Sequence, residues 1–436
     1  MARRFLQLAA AGLFVLAAMP AFAAEAKALD PAATAWVLTA TALVLFMTLP
    51  GLSLFYAGLV HARNVLSVLM HCAAITCLVS AAWFVAGYGI AFGDGSGSGG
   101  WFGMDLWFLT GIAVDTLKGE LPASVHVAFQ MTFAIITPAL IVGAYAERIR
   151  FGAVAIYSVL WVLIVYAPVC HWLWGEGWLA ANGVMDFAGG IVVHATAGAA
   201  ALVAAVMLKP RRGFPHEMPL PHNPGITVAG AGMLWVGWFG FNGGSALAAG
   251  GSAGMALLVT HMSAAFAGLT WMAIEWSKHG KASSVGLATG VIAGLATVTP
   301  AAGYIGAWAA LPIGIAAGAI CFRMTHLVKR VFGIDDSLDV FAVHGVGGAL
   351  GTLLTAVFAL PALGGVGYTL AERGFGEQLG WQAIGLLAGG LWSAAATWGI
   401  LKLCGALLGG IRVGAEQEAE GLDVTAHGER GYDLKL

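Results

Sequence analysis

Asp186-Phe187-Ala188-Gly189-Gly190-Ile191-Val192-Val193-His194 has an echo later in the chain, Asp339-Val340-Phe341-Ala342-Val343-His344. Each stretch opens on an acid, passes an aromatic residue, and sets a histidine among aliphatic and small residues; Gly345, Gly347 and Gly348 continue the second. A group that ionises is costly to bury in hydrocarbon, so an intramembrane histidine points to function by default. Two of them in matched settings read as two copies of one structural unit, with an acid at the start of each helix as candidate N-cap.

The surroundings are those of a membrane protein. Of 436 residues, 59% are apolar and 10% charged, against roughly 45–50% and about 25% in soluble chains. Runs long enough to cross about 30 Å of hydrocarbon fall at 34–60, 66–92, 123–146, 151–174, 188–208, 226–246, 253–276, 284–300, 303–322, 339–360 and 381–408. The two histidine stretches head the fifth and tenth runs. If runs 1–5 and 6–10 are two copies, an odd count inserts them upside down relative to each other. An inverted repeat places its site near the bilayer midplane where the halves meet. The fold expected is therefore all-α and polytopic: eleven transmembrane helices, two five-helix inverted repeats and a final helix. Gly286/Gly290/Gly294, Gly314/Gly318, Gly347/Gly351 and Gly385/Gly389 supply spacings for close helix contact.

Charge sets the expected orientation. Connections after odd-numbered runs carry Arg63; Arg148 and Arg150; Lys209, Arg211 and Arg212; Lys278 and Lys281; and Arg323, Lys329 and Arg330, whereas the others carry only Lys118 and Arg373. By the positive-inside rule the N-terminus lies outside and the C-terminus inside. Arg3 and Arg4, the apolar run from Leu6 to Ala18 and the small-residue site Ala21-Phe22-Ala23 have the form of a cleaved signal peptide. The domains expected are a signal peptide over 1–23, a transmembrane unit over 24–408, and a cytoplasmic tail over 409–436. A formal net charge of −2 leaves no basic surface for nucleic acid. The 5 Cys are scattered through apolar runs, so no disulfide framework, metal site or cofactor motif is written there. His71, His126, His171 and His261 also fall in or beside apolar runs and, taken singly, read as packing residues.

Around the histidines stand clustered rings: Phe129 and Phe133, Trp174, and Trp238 and Phe241 within Gly237-Trp238-Phe239-Gly240-Phe241-Asn242-Gly243-Gly244-Ser245. Rings facing a small cation attract it by about 0.5–2 kcal/mol, whereas an unpaired ion in an apolar pore costs tens of kcal/mol. Attraction at a mouth, loss of a proton, passage as a neutral molecule and proton relay along imidazoles would reconcile the two.

At Phe55-Tyr56-Ala57-Gly58-Leu59, His126-Val127-Ala128-Phe129-Gln130, Gly143 to Phe151, Asp186 to His194, Gly237 to Ser245, Thr299 to Gly306, Asp339 to Gly348 and Glu420-Gly421-Leu422-Asp423-Val424, the chain resembles the Amt/Rh ammonium transporter family, and its Trp174 resembles the bacterial Amt branch. The resemblance implies an ammonium transporter or channel serving nitrogen uptake in the cell inner membrane, and no enzyme. It implies a recruitment site of Phe129, Trp174 and Ser245 with Asp186 nearby, a gate of Phe133 and Phe241, and a pore lined by Trp238 with His194 and His344 sharing a hydrogen bond and relaying protons. It further implies a homotrimer, membrane lipid as surroundings, ammonium or methylammonium as substrate, and a PII-type regulatory protein as partner on the cytoplasmic face. An ammonium sensor signalling through its tail is the alternative on the same fold.

Overall fold

A computed structural model describes residues 28–217 and 220–432; the expected signal peptide lies outside the described residues. Among the described residues, eleven helices are long and apolar enough to cross a membrane: α1 Pro31–Leu59, α2 Ala62–Phe92, α3 Ala123–Tyr145, α4 Phe151–Ala181, α5 Gly190–Leu208, α6 Pro224–Gly243, α7 Gly251–His279, α8 Ser284–Ala301, α9 Ala307–Val331, α10 Phe341–Phe358 and α11 Phe375–Leu408. Their starts follow from local chemistry. Asp30 Oδ1 accepts the amides of Ala32 and Ala33 ahead of Pro31, and Asn223 and Ser283 cap α6 and α8 in the same way. Two short helices, α12 Ala415–Glu420 and α13 Leu422–His427, form the tail.

Burial orders the bundle. The most apolar windows of α3, α8 and α5 are 89%, 78% and 72% buried, while those of α11, α7 and α9 are only 33%, 39% and 39% buried. The first three form the centre, and the last three turn Leu391, Leu407, Leu269 and Ile315 outward, an apolar coat suited to lipid or a neighbouring subunit.

The halves repeat. The segment entering α5 docks by Phe187 N–H on the Pro300 carbonyl of α8, and the segment entering α10 docks by Leu338 N–H on the Gly143 carbonyl of α3. Wide π-type turns recur at Met47–Leu52 of α1 and Phe239–Gly243 of α6, at Val162–Tyr166 of α4 and Leu327–Val331 of α9, and at Gly190–Ala195 of α5 and Phe341–Gly345 of α10. Such turns gather at functional sites, and the last two carry His194 and His344.

The acid pairing differs from the sequence expectation. Asp186 does head α5, but its counterpart is Asp336 rather than Asp339. Asp336 Oδ2 accepts the Phe341 amide at 2.7 Å, eight residues before His344, as Asp186 stands eight before His194. Asp339 instead takes a left-handed conformation, φ 63°, and pairs with Lys329 at 2.7 Å. A cap is decided by where the backbone turns, and the loop crosses the helix entrance before Asp339 is reached.

The tail closes one end of the bundle. Arg150 N–H donates to Ile411 O and Val413 N–H to Arg148 O, Leu422 N–H reaches Asn64 Oδ1, and Asp423 Oδ1 accepts the Ser67 amide at 2.7 Å. We call this the tail end, and the opposite end, beside the long 93–122 connection, the mouth end.

Candidate functional site

Glycine brings the histidines together. A Cβ on Gly198, four residues beyond His194, would strike the Gly345 Cα; one on Gly348, four beyond His344, would lie 2.6 Å from the His194 Cβ. Only glycine on both helices permits α5 and α10 to cross this closely. The imidazoles lie with centroids 5.2 Å apart and planes 26° from parallel, both buried. No hydrogen bond joins them in this structure: both ring nitrogens of His194 and Nδ1 of His344 have no partner. The shared bond implied by the resemblance would require the nitrogens to turn toward each other, and the free valences leave them available for it.

Rings continue the line toward the mouth. His194 lies 5.6 Å from Trp238 and 6.1 Å from Phe241; Phe241 stacks on Phe133 at 4.2 Å; Phe133 meets Trp174 edge-on at 5.8 Å. Trp238 is held by its Nε1–H bond to Thr299 Oγ1, 2.9 Å. The stacked Phe133–Phe241 pair separates the histidines from a cavity of about 280 Å³ lined by His126, Gln130, Phe133, Trp174, Asp186, Ser245 and Tyr304 among others.

Each mouth residue is fixed by a backbone partner. Trp174 Nε1–H donates to Asp186 O at 2.8 Å. The Asp186 carboxylate accepts four amides, those of Gly189, Gly190, Ile191 and Val192, at 2.6 to 3.1 Å, placing an anion at the dipole-positive start of α5. Ser245 Oγ donates to Phe241 O at 2.8 Å, which leaves its lone pairs free to accept from a guest. Phe129 stands apart from the expected trio. It is fully buried, meets Phe133 edge-on from behind at 5.0 Å, and does not line the cavity. Gln130 was not singled out by the sequence reading, yet its Oε1 is buried, lacks a partner and borders the cavity. A lone amide in an apolar span was its signal.

At the tail end a second cavity of about 310 Å³ reaches His344 and is lined by Tyr56, Glu147, Arg211, Lys329, Ser337 and Asp339 among others. Arg211 spans Glu147 at 2.5 Å and Asp335 at 2.8 Å. Burial pushes both carboxyls up, but Arg211 outweighs it and holds each below its ordinary value. Among the described residues no cluster of three or more metal-ligating side chains is present. Two cavities thus meet a shared apolar constriction that holds the paired imidazoles, an arrangement suited to passing a small neutral guest.

Residues 35–432 match the sequence profile of the Ammonium Transporter Family. The chain belongs to this family. It is 43% identical over 416 residues, 95% of this chain and 96% of the relative, to an ammonium transporter of Aquifex aeolicus. Its fold is similar to a structure described as a sensor Amt protein, with TM-score 0.84 at 32% identity over 91% of this chain and 98% of that one, and to Mep2 of Candida albicans, with TM-score 0.81 at 33% identity over 89% and 88%. As an ammonium transporter family member, the chain carries its paired histidines on the two helices, α5 and α10, that the repeat relates.

Proposed function

We propose that the protein recruits ammonium at the mouth end, removes a proton there, and conducts ammonia through the aromatic constriction while His194 and His344 relay the proton. The observation that carries the reading is the column itself: a ring-lined cavity with an anion beside it, a stacked ring pair, then two buried imidazoles with unpartnered nitrogens. Trp174 and Ser245 replace part of the water around the cation, Asp186 stabilises its charge, and Phe133 with Phe241 exclude hydrated ions. Phe129 acts from behind, holding Phe133. Trp238 lines the pore against His194.

The mouth end faces outside and the tail end the cytoplasm, as the basic residues of the tail-end connections favour, in the cell inner membrane after removal of residues 1–23. The outward apolar faces of α7 and α9 support assembly as a homotrimer with one pore per subunit, and the tail-end cavity supports docking of a PII-type partner. Methylammonium fits the same chemistry. A sensor role is the second reading, favoured by the similarity to a protein described as a sensor and by the hydrogen-bonded tail.

Current on a solid-supported membrane after ammonium pulses tests the proposal. The double variant His194→Ala with His344→Ala is expected to insert and fold but to lose the current; an undiminished current overturns the relay. Binding without turnover in the wild type would favour the sensor.

A further inference from the structure

We propose that Asp336 is the proton-holding residue on the tail side of the pore, accepting the proton that leaves the histidine pair and passing it to ammonia in the tail-end cavity. The inference rests on the proton relay proposed above. Three observations support it.

The first is position. Asp336 stands at the entrance of α10 as Asp186 stands at the entrance of α5, each eight residues before its histidine, so the pseudo-symmetry that sets an acid by the mouth sets another by the exit.

The second is the way the two acids differ. Both Asp186 oxygens are engaged by four amides, as suits a carboxylate that stays charged. Asp336 is fully buried, with Oδ2 on the Phe341 amide and Oδ1 without any partner. A buried unpaired carboxylate oxygen is costly, and a proton on it relieves the cost.

The third is its surroundings. The residues that follow it, Ser337, Leu338 and Asp339, line the tail-end cavity together with Tyr56 and His344. The charged and titratable groups around Asp336 are Asp339 on its own loop, Lys329 of α9, Arg148 of the α3–α4 connection and Tyr56 of α1. Burial and then Asp339 push its carboxyl up to about 6, against Lys329 and the Phe341 and Val340 amides.

The step balances without a redox partner. An imidazolium N–H bond breaks as its proton moves to the Asp336 carboxylate; the resulting O–H bond breaks as the proton moves to ammonia. Ammonium and the free carboxylate are restored together.

Asp336→Asn keeps an oxygen for the Phe341 amide and removes only the titration. In proteoliposomes, wild-type ammonium-driven current is expected to fall as tail-side pH drops through about 6, because a filled carboxyl accepts nothing. Asp336→Asn should lower the neutral-pH current roughly hundredfold, the lower end of what a positioned proton acceptor contributes, and the residual current should lack the step at about 6. A merely structural cap would lower the current and leave the step. Asp339→Asn removes the neighbouring like charge and should move the step to lower pH, which decides the matter if Asp336→Asn fails to insert. Wild-type current and step in Asp336→Asn, or an unmoved step in Asp339→Asn, overturns the inference. If the double histidine variant loses current while Asp336→Asn does not, this inference alone fails; if the double variant conducts normally, the relay reading fails with it.

Discussion

Trp174 and Asp186 are joined by one hydrogen bond from the indole Nε1 to the Asp186 carbonyl, while the Asp186 carboxylate gathers four amides of the next turn. The same acid therefore shapes the helix start and places the ring beside it. Asp186→Ala is expected to cost about 1–2 kcal/mol through the lost cap, read as a lowered unfolding temperature in detergent, and to abolish ammonium-driven current; retained current would remove its role in recruitment. Phe241→Ala deletes the ring that lies between Phe133 and His194. Conduction should rise as the constriction opens, and unchanged flux would count against a gate. At this scale much of the site could be read from the sequence, because polar and aromatic residues among glycines stand out. The retreat of Phe129 behind Phe133 could not, since it depends on which way one face of α3 turns.

The helix crossing of α5 and α10 is set by two glycines, so the pore depends on backbone contact more than on any side chain. Gly198→Ala drives a methyl into the Gly345 Cα, and overpacking of this kind typically costs about 1–3 kcal/mol. Its expected signature is a chain that still inserts, unfolds at a lower temperature, and has lost most of its ammonium-driven current because the imidazoles are pushed apart. Normal current in this variant would show that the close crossing is dispensable. The number and approximate ends of the spans were legible because each must fill the same hydrocarbon thickness. The acid that caps α10 was not. Asp335, Asp336 and Asp339 all precede the helix, and choosing among them requires the path of the loop.

Across the whole molecule, the basic residues that indicated orientation turn out to hold the tail end together. Arg148 is fully buried and its guanidinium donates to the carbonyls of Ala144, Lys209 and Asp335 and to Ser337 Oγ; burial lowers its affinity for a proton to about 10. Arg211 ties the α3–α4 connection to the α9–α10 connection through Glu147 and Asp335. Arg211→Met removes the arginine that pairs with both buried carboxylates, Glu147 and Asp335, a change that costs about 3–5 kcal/mol. Since both carboxyls are held below their ordinary values, their contribution is present at neutral pH and is lost as pH falls through the folded-state values. The gap between wild type and Arg211→Met in thermal unfolding should therefore be widest at neutral pH and narrow in acid. A gap independent of pH would mean that the arginine acts by packing alone.

The sequence by itself determined the membrane class, eleven spans, the inverted relation of the halves and the identity of the paired histidines. These follow from local quantities: apolar length, the parity of the repeat, and the cost of an ionisable group in hydrocarbon. The tertiary structure decided that the imidazoles meet, that Phe133 and Phe241 stack, that Asp336 rather than Asp339 mirrors Asp186, and that Arg148 and Arg211 bind the connections. Those outcomes hang on contacts between residues far apart in the chain, such as Gly198 with Gly345 and Arg211 with Glu147, whose distances are fixed only when the helices pack.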